Sequence, residues 1–217
     1  MNNDDIIEQT INYVKTELQQ AEGGHDWWHI ERVYKNAMHI SQSEDVNIFI
    51  VQLAALLHDI ADAKFHNGNE NLGPEKAQQF LASLNVKKEV IGHVVNIIRN
   101  ISFKGGNFEN KFYTKEFAVV QDADRLDALG AIGIARAFNY GGFTHKQIYN
   151  PDVKPDMNLS KEAYKKSNAP TINHFYEKLL LLTERMNTTS GKKIARQRHL
   201  FMEKFLDEFY AEWNGEQ

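Results

Sequence analysis

Val51-Gln52-Leu53-Ala54-Ala55-Leu56-Leu57-His58-Asp59 is the stretch on which the reading of this chain turns. Its first seven residues hold one polar side chain and no glycine or proline. A run that is apolar in nearly every direction belongs to a helix buried on all sides. It closes on an imidazole beside a carboxylate, so two polar groups stand at the edge of a core. Burial of such groups is costly unless they are hydrogen-bonded, paired or coordinating. A capped helix end would look the same from one pair alone, but the pair has company. His29 lies upstream in His25-Asp26-Trp27-Trp28-His29-Ile30-Glu31-Arg32-Val33, and carboxylates cluster downstream in Gln121-Asp122-Ala123-Asp124-Arg125-Leu126-Asp127.

Working outward, the pattern is helical almost throughout. Ile7, Ile11, Val14 and Leu18 recur at the spacing of one helix face, as do Phe175, Leu179, Leu182 and Met186. Phe201, Phe205, Phe209 and Trp213 suggest a third stripe, widened by Met202 and Leu206. Such stripes face the core. Phe117-Ala118-Val119-Val120 reads as helix rather than strand. A helix from about Lys115 to Tyr140 is expected to carry Asp124 and then a run of small residues, Ala128, Gly130, Ala131, Gly133, Ala135 and Ala137. Glycine costs a helix about 1 kcal/mol against alanine, so a close backbone neighbour is expected there. Loops are expected over 64–74, 102–110 and 141–170, the last holding three of the four prolines. A segment that long is unusual inside a compact domain unless it is functional or disordered. It is expected to border the mouth of a site, with Tyr149, Lys154 and Lys161 offered to substrate. The expected fold is all-α, a single domain over 1–217 of about eight or more helices. A metal core is expected over about 25–140, with C-terminal helices over about 160–214 packed on it.

The chain has 217 residues, 42% of them hydrophobic and 25% charged, an ordinary globular balance. A net charge of −4 gives no broad attraction to nucleic acid or to an anionic membrane. No basic recognition helix supports a DNA binder. There are no cysteines, which excludes disulfides and thiolate metal sites. The acidic start, Met1-Asn2-Asn3-Asp4-Asp5, lacks a signal-peptide pattern, and no apolar stretch approaches the ~18 residues of a membrane span. A soluble cytoplasmic protein is expected.

His29, His58, Asp59 and Asp124 together supply two imidazoles and two carboxylates. The carboxylates offset the charge of a divalent ion, and the imidazoles favour a transition metal. Such an ion needs scaffold ligands and open positions for water and substrate. Neighbouring helical residues diverge by about 100°, so His58 and Asp59 can share an ion only near a helix end. Spacing leaves open whether Asp122, Asp124 or Asp127 completes the set. Asp26 is placed as the N-cap of the helix carrying His29.

The ordered set resembles the HD-domain superfamily of metal-dependent phosphohydrolases. His25–Val33, Ala54-Ala55-Leu56-Leu57-His58-Asp59-Ile60-Ala61-Asp62 and Val120-Gln121-Asp122-Ala123-Asp124-Arg125-Leu126-Asp127-Ala128-Leu129-Gly130 are similar to a bacterial subfamily of stand-alone HD hydrolases. The likeness continues through Gly133-Ile134-Ala135-Arg136 and Ile172-Asn173-His174-Phe175-Tyr176-Glu177-Lys178-Leu179, so it covers nearly the whole chain. It implies an HD-type helical fold with His29, His58, Asp59 and Asp124 as metal ligands. Asp124 is preferred because Ala123-Asp124-Arg125-Leu126 matches the family's Ala-Asp-x-Leu pattern, which leaves Asp122 and Asp127 as supporting or capping groups. The implied cofactor is one divalent ion, manganese ahead of Fe2+, Ni2+, Co2+ or Mg2+. Asp62 falls where related hydrolases keep an acid that handles water. Arg32 and Lys64 are the cations nearest the motif, with Arg125 and Arg136 further along, and phosphoryl chemistry needs positive charge where negative charge accumulates. His93 has no evident partner for a second metal.

The function implied is a metal-dependent phosphohydrolase acting on a nucleotide, as a nucleoside triphosphate pyrophosphohydrolase or in related phosphate-ester hydrolysis. Phosphodiester cleavage is one alternative. A non-catalytic HD-fold nucleotide-binding or sensor module is another, and retention of Asp62 beside the full ligand set argues against it. The expected partner is a small-molecule nucleotide or phosphate ester, with neither nucleic acid nor membrane.

Overall fold

A computed structural model describes residues 1–19, 26–61, 69–101, 112–157 and 167–216. Those residues form nine α-helices and no strand, so the all-α expectation holds. They divide into two compact units, 1–124 and 125–217.

The N-terminal unit contains α1 (Asn3–Glu17), α2 (Trp27–Ser41), α3 (Ile48–Leu57), α4 (Leu72–Ser83), α5 (Lys88–Ile101) and most of α6 (Lys115–Asp127). Helix α3 is its centre, packed by α1, α2 and α5. Leu53 through Leu57 are all fully buried, as expected of a helix with no polar face. Asn47 caps its start, the side chain accepting from Ile50 N at 3.3 Å. Ile7, Val14 and Leu18 of the first stripe are buried beside it, with Ile11 half-buried. The loop expected over 64–74 is shorter at its end than the sequence suggests. Helix α4 already begins at Leu72, and Pro74 sits in its first turn, where its missing N–H costs nothing. The loop expected over 102–110 lies outside the described residues.

The expected helix over 115–140 is two helices. Helix α6 ends at Asp127, and α7 (Gly130–Phe143) starts after Leu129, which has an extended backbone. Gly130 adopts φ +72°, a conformation that disfavours a side chain. The close approach comes three residues later, where a Cβ on Gly133 would overlap the Ala128 carbonyl.

The C-terminal unit holds α7, a short α8 (Thr171–His174), a π turn (Phe175–Leu179), a 3-10 turn (Leu180–Arg185) and α9 (Thr189–Asn214). Phe175, Leu179, Leu182 and Met186 are buried as their spacing implies. The stripe on α9 is different: Met202 and Leu206 are buried, whereas Phe201 and Trp213 are each 51% exposed. A row spaced by four residues drifts about 40° per step around a helix of 3.6 residues per turn. Its two ends therefore leave the buried face.

The corner between α6 and α7 is tied by charge. Buried Asp127 accepts from Arg136 Nη1 at 2.7 Å, and Arg198 donates to the Leu126 carbonyl. Burial lowers the pKa of the Arg198 guanidinium, and the nearby Asp127 carboxylate acts against that. Removing one partner of a buried ion pair strands the other charge. Asp127→Ala should therefore cost about 3 kcal/mol, the low end of that range because Arg136 keeps some contact with water. Urea denaturation measures it, and a loss within the ~1 kcal/mol of a surface pair would remove the network from the stability of this corner.

Candidate metal centre

Three elements of the N-terminal unit bring the site together. Asp26 caps α2, its carboxylate accepting from His29 N at 3.0 Å, as the sequence implied. The cap fixes the first turn of α2, which carries His29. Helix α3 delivers His58 as its C-terminal cap and Asp59 just beyond it, so the pair does stand at a helix end. Helix α6 starts on Thr114, whose hydroxyl accepts from Phe117 N at 3.1 Å, and carries Asp124. Asn36 on α2 donates to the Ala123 carbonyl at 3.5 Å, joining α2 to α6 beside that carboxylate.

The ligand-type atoms of His29, His58 and Asp59 lie within 4.8 Å of one another. Asp59 Oδ2 is 3.6 Å from His29 Nε2 and 3.8 Å from His58 Nε2. Asp124 Oδ1 repeats those distances, 3.6 and 3.8 Å, to the same two nitrogens. Both imidazoles are 1% exposed, Asp59 18% and Asp124 35%. The buried side of the cluster is thus nitrogen and the open side carboxylate. The two rings meet edge to face, with centroids 5.3 Å apart.

His58 carries the test of whether these groups fit a metal ion. Its Nδ1 lies 2.9 Å from the Ala55 carbonyl. A carbonyl only accepts, so Nδ1 bears the hydrogen, and in the neutral ring Nε2 keeps a lone pair. That Nε2 is buried without a hydrogen-bond partner. The 3.6–3.8 Å gaps to the carboxylates exceed hydrogen-bond length. They suit donors held about 2.0–2.2 Å from a common ion. A backbone carbonyl orienting the far nitrogen is also how metal-binding histidines are usually held. The residues fit a divalent ion.

The structure separates the three downstream aspartates. Asp122 is two positions from Asp124, about 200° around α6, and is fully buried on the other side. Asp127 is committed to Arg136. Arg32 lies half-buried on α2, one turn after His29. Asp62, Lys64 and Lys161 lie outside the described residues; α3 has already ended at Leu57, and 58–61 form turns. The Nε2 of His93 is 2.9 Å from Thr114 Oγ1 and 3.6 Å from Glu116 Oε2. Glu116 was not foreseen. Its Oε1 accepts from Asn47 N at 2.9 Å, so α6 anchors the start of α3 as well as facing its end. No sequence pattern announces a contact between residues so far apart in the chain. Nor does any announce the Nδ1 contact that sets the His58 ring. Tyr149 and Lys154 belong to a segment that packs within the C-terminal unit, Tyr149 against Phe209, Tyr210 and Trp213.

Residues 27–129 match the HD domain family. Over 92% of its length the chain is 36% identical to YpgQ of Bacillus subtilis, covering 89% of that protein. An HD-superfamily hydrolase from Bacillus thuringiensis is 44% identical in its crystal structure, with a TM-score of 0.78 over 98% of this chain and 99% of that one. A crystal structure from Lactobacillus plantarum superposes with a TM-score of 0.86 at 34% identity, over 99% of this chain and all of that one. YpgQ has been crystallised in complex with ADP, and that structure is 32% identical with a TM-score of 0.78, covering 98% of this chain and 97% of that one. Among the described residues no helix is long and apolar enough to cross a membrane. With its His-Asp cluster seated inside the matched region, the chain belongs to the HD-domain superfamily, among the bacterial stand-alone hydrolases related to YpgQ.

Proposed function

We propose that the protein is a metal-dependent phosphohydrolase acting on a nucleotide, with His29, His58, Asp59 and Asp124 holding one divalent ion. The observation that carries this is the buried, partnerless Nε2 of His58, turned by its Nδ1 contact toward two carboxylates. When bound, a divalent ion supplies Lewis acidity toward a phosphoryl oxygen and lowers the pKa of water. The two imidazoles favour manganese or another transition metal over calcium, and the two carboxylates neutralise the ion's double charge. Asp62 then serves as the base that takes the proton from the attacking water. Arg32 and Lys64 meet the phosphate oxygens, holding the reacting phosphorus and balancing charge as it builds. The ADP complex of YpgQ supports a nucleotide as the substrate class.

The test is a panel of nucleoside mono-, di- and triphosphates and a cyclic diester, run with manganese and other divalent ions and read by product. Pyrophosphate from a triphosphate is the expected result. Inorganic phosphate from monophosphates, or opening of the cyclic diester, would move the assignment to a nucleotidase or a phosphodiesterase. Tight nucleotide binding without turnover under any metal would leave a nucleotide-binding module and sink the hydrolytic reading.

A further inference from the structure

A half-open cavity of about 260 Å³ lies in the C-terminal unit. Tyr149, Tyr176, Tyr210 and Pro155 line it, with exposed Lys154 and buried Asn173. Asn173 is 1% exposed, and its Nδ2 donates to the Val153 carbonyl at 3.0 Å. Because a carbonyl can only accept, that bond identifies the nitrogen end of the amide. The other end, Oδ1, is buried and has no hydrogen-bond partner. Buried acceptors are nearly always paired, and leaving one unmade is unfavourable.

The cavity is preformed. Thr171 N donates to the Gln147 carbonyl at 2.8 Å and Ile172 N to that of Ile148 at 3.0 Å. Asp156 N donates to Glu177 Oε1 at 3.1 Å, so the 147–156 segment is pinned at both ends. Tyr149 is clamped edge-on, with ring centroids 5.8 Å from Phe209, 5.4 Å from Tyr210 and 5.0 Å from Trp213. Burial raises the Tyr210 phenol far above its usual range, and its hydrogen bond to Tyr176 acts the same way, so this ring stays uncharged.

We propose that this cavity binds a planar nitrogen heterocycle of the nucleobase class, donating an N–H to Asn173 Oδ1, with an anionic substituent taken by Lys154. Three phenol rings offer flat apolar faces with polar tips, which suit a stacked heteroaromatic ring. The volume lies below the ~300 Å³ at which drug-sized pockets begin, which fits a fused two-ring system rather than a larger ligand. The Lys154 ammonium is a flexible point charge of the kind that meets phosphate or carboxylate. None of these residues belongs to the His-Asp cluster, so the site stands independently of the hydrolytic reading.

The experiment follows the Asn173 side-chain amide and Trp213 indole resonances of the full-length 15N-labelled protein. Adenosine, N6,N6-dimethyladenosine, adenosine monophosphate and ribose 5-phosphate are the probes, and titrations are repeated in Lys154→Ala and in His58→Ala. Adenosine should shift both resonances saturably. The dimethylated nucleoside, which has lost its exocyclic N–H donors, should bind at least ten-fold more weakly, and ribose 5-phosphate should leave them unmoved. The monophosphate should bind more tightly than adenosine, and Lys154→Ala should abolish that advantage without affecting adenosine. His58→Ala should change none of this, which keeps a failed metal centre distinct from a failed cavity. Unmoved resonances with adenosine, or equal affinity for the dimethylated compound, would overturn the proposal and leave the Asn173 acceptor to water alone.

Discussion

His58→Ala protein is expected to purify without the divalent ion that the wild-type chain should carry at about one per monomer, and to lose hydrolysis with it. The imidazole is held twice, by burial at the end of α3 and by the Ala55 carbonyl on its Nδ1. The residues leading up to it, Leu53 through Leu57, are apolar and fully buried, so none of them offers a replacement ligand. The three remaining ligands, His29 and Asp124 on helices and Asp59 in the turn after α3, would bind an ion more weakly by a factor of roughly 10–100 or more, a change of the size seen even for partners that only orient a ligand. The lost packing should reduce stability without unfolding the chain, which circular dichroism checks. Elemental analysis and metal titration give the answer. A wild-type protein with no high-affinity ion would remove the metal centre altogether.

Asp62→Asn is expected to keep the fold and most of the metal affinity while turnover falls roughly 10²–10⁴-fold, the usual contribution of a general base. Amide and carboxylate are nearly the same shape, so the change removes basicity and little else. Asp59→Asn provides the contrast. Its carboxylate stands 3.6 and 3.8 Å from the two buried imidazole nitrogens, so metal and activity should fall together. The measurement is kcat beside metal stoichiometry for both variants. Near wild-type kcat in Asp62→Asn would take that residue out of the mechanism and leave proton transfer to water or to a group not yet named.

Much of this was legible in the chain because local physics and tertiary packing agree where the site is built. A seven-residue run with one polar side chain, ending in His58-Asp59, could only be a core helix with polar groups at its end, and Asp26 ahead of Trp27 is an ordinary helix cap. Agreement failed where two choices were locally equivalent. Small residues after Asp127 read as one continuous helix, yet the positive φ of Gly130 marks a corner there. Spacing by four marked Phe201 and Trp213 as core, and the drift around a long helix turned them outward. Asp122, Asp124 and Asp127 are the same residue type within six positions. Only the rotation of α6, and the Arg136 partner of Asp127, distinguish them in space.

The bond from Asn47 N to Glu116 Oε1 makes the spacing of the site a matter of length as well as composition. Helices α3 and α6 are joined there at one end and converge on the cluster at the other, through His58 and Asp124. From Asn47 to His58 is eleven residues, about 16 Å of helical rise; from Glu116 to Asp124 is eight, about 12 Å. The pair works as a caliper, hinged at the cap and closing on the ligands. One residue added to either arm advances its tip by about 1.5 Å and swings it through about 100°. Substitutions within the arms adjust packing, but a change in their length opens the jaws. Insertions that surface loops would absorb therefore have no harmless position between Asn47 and His58.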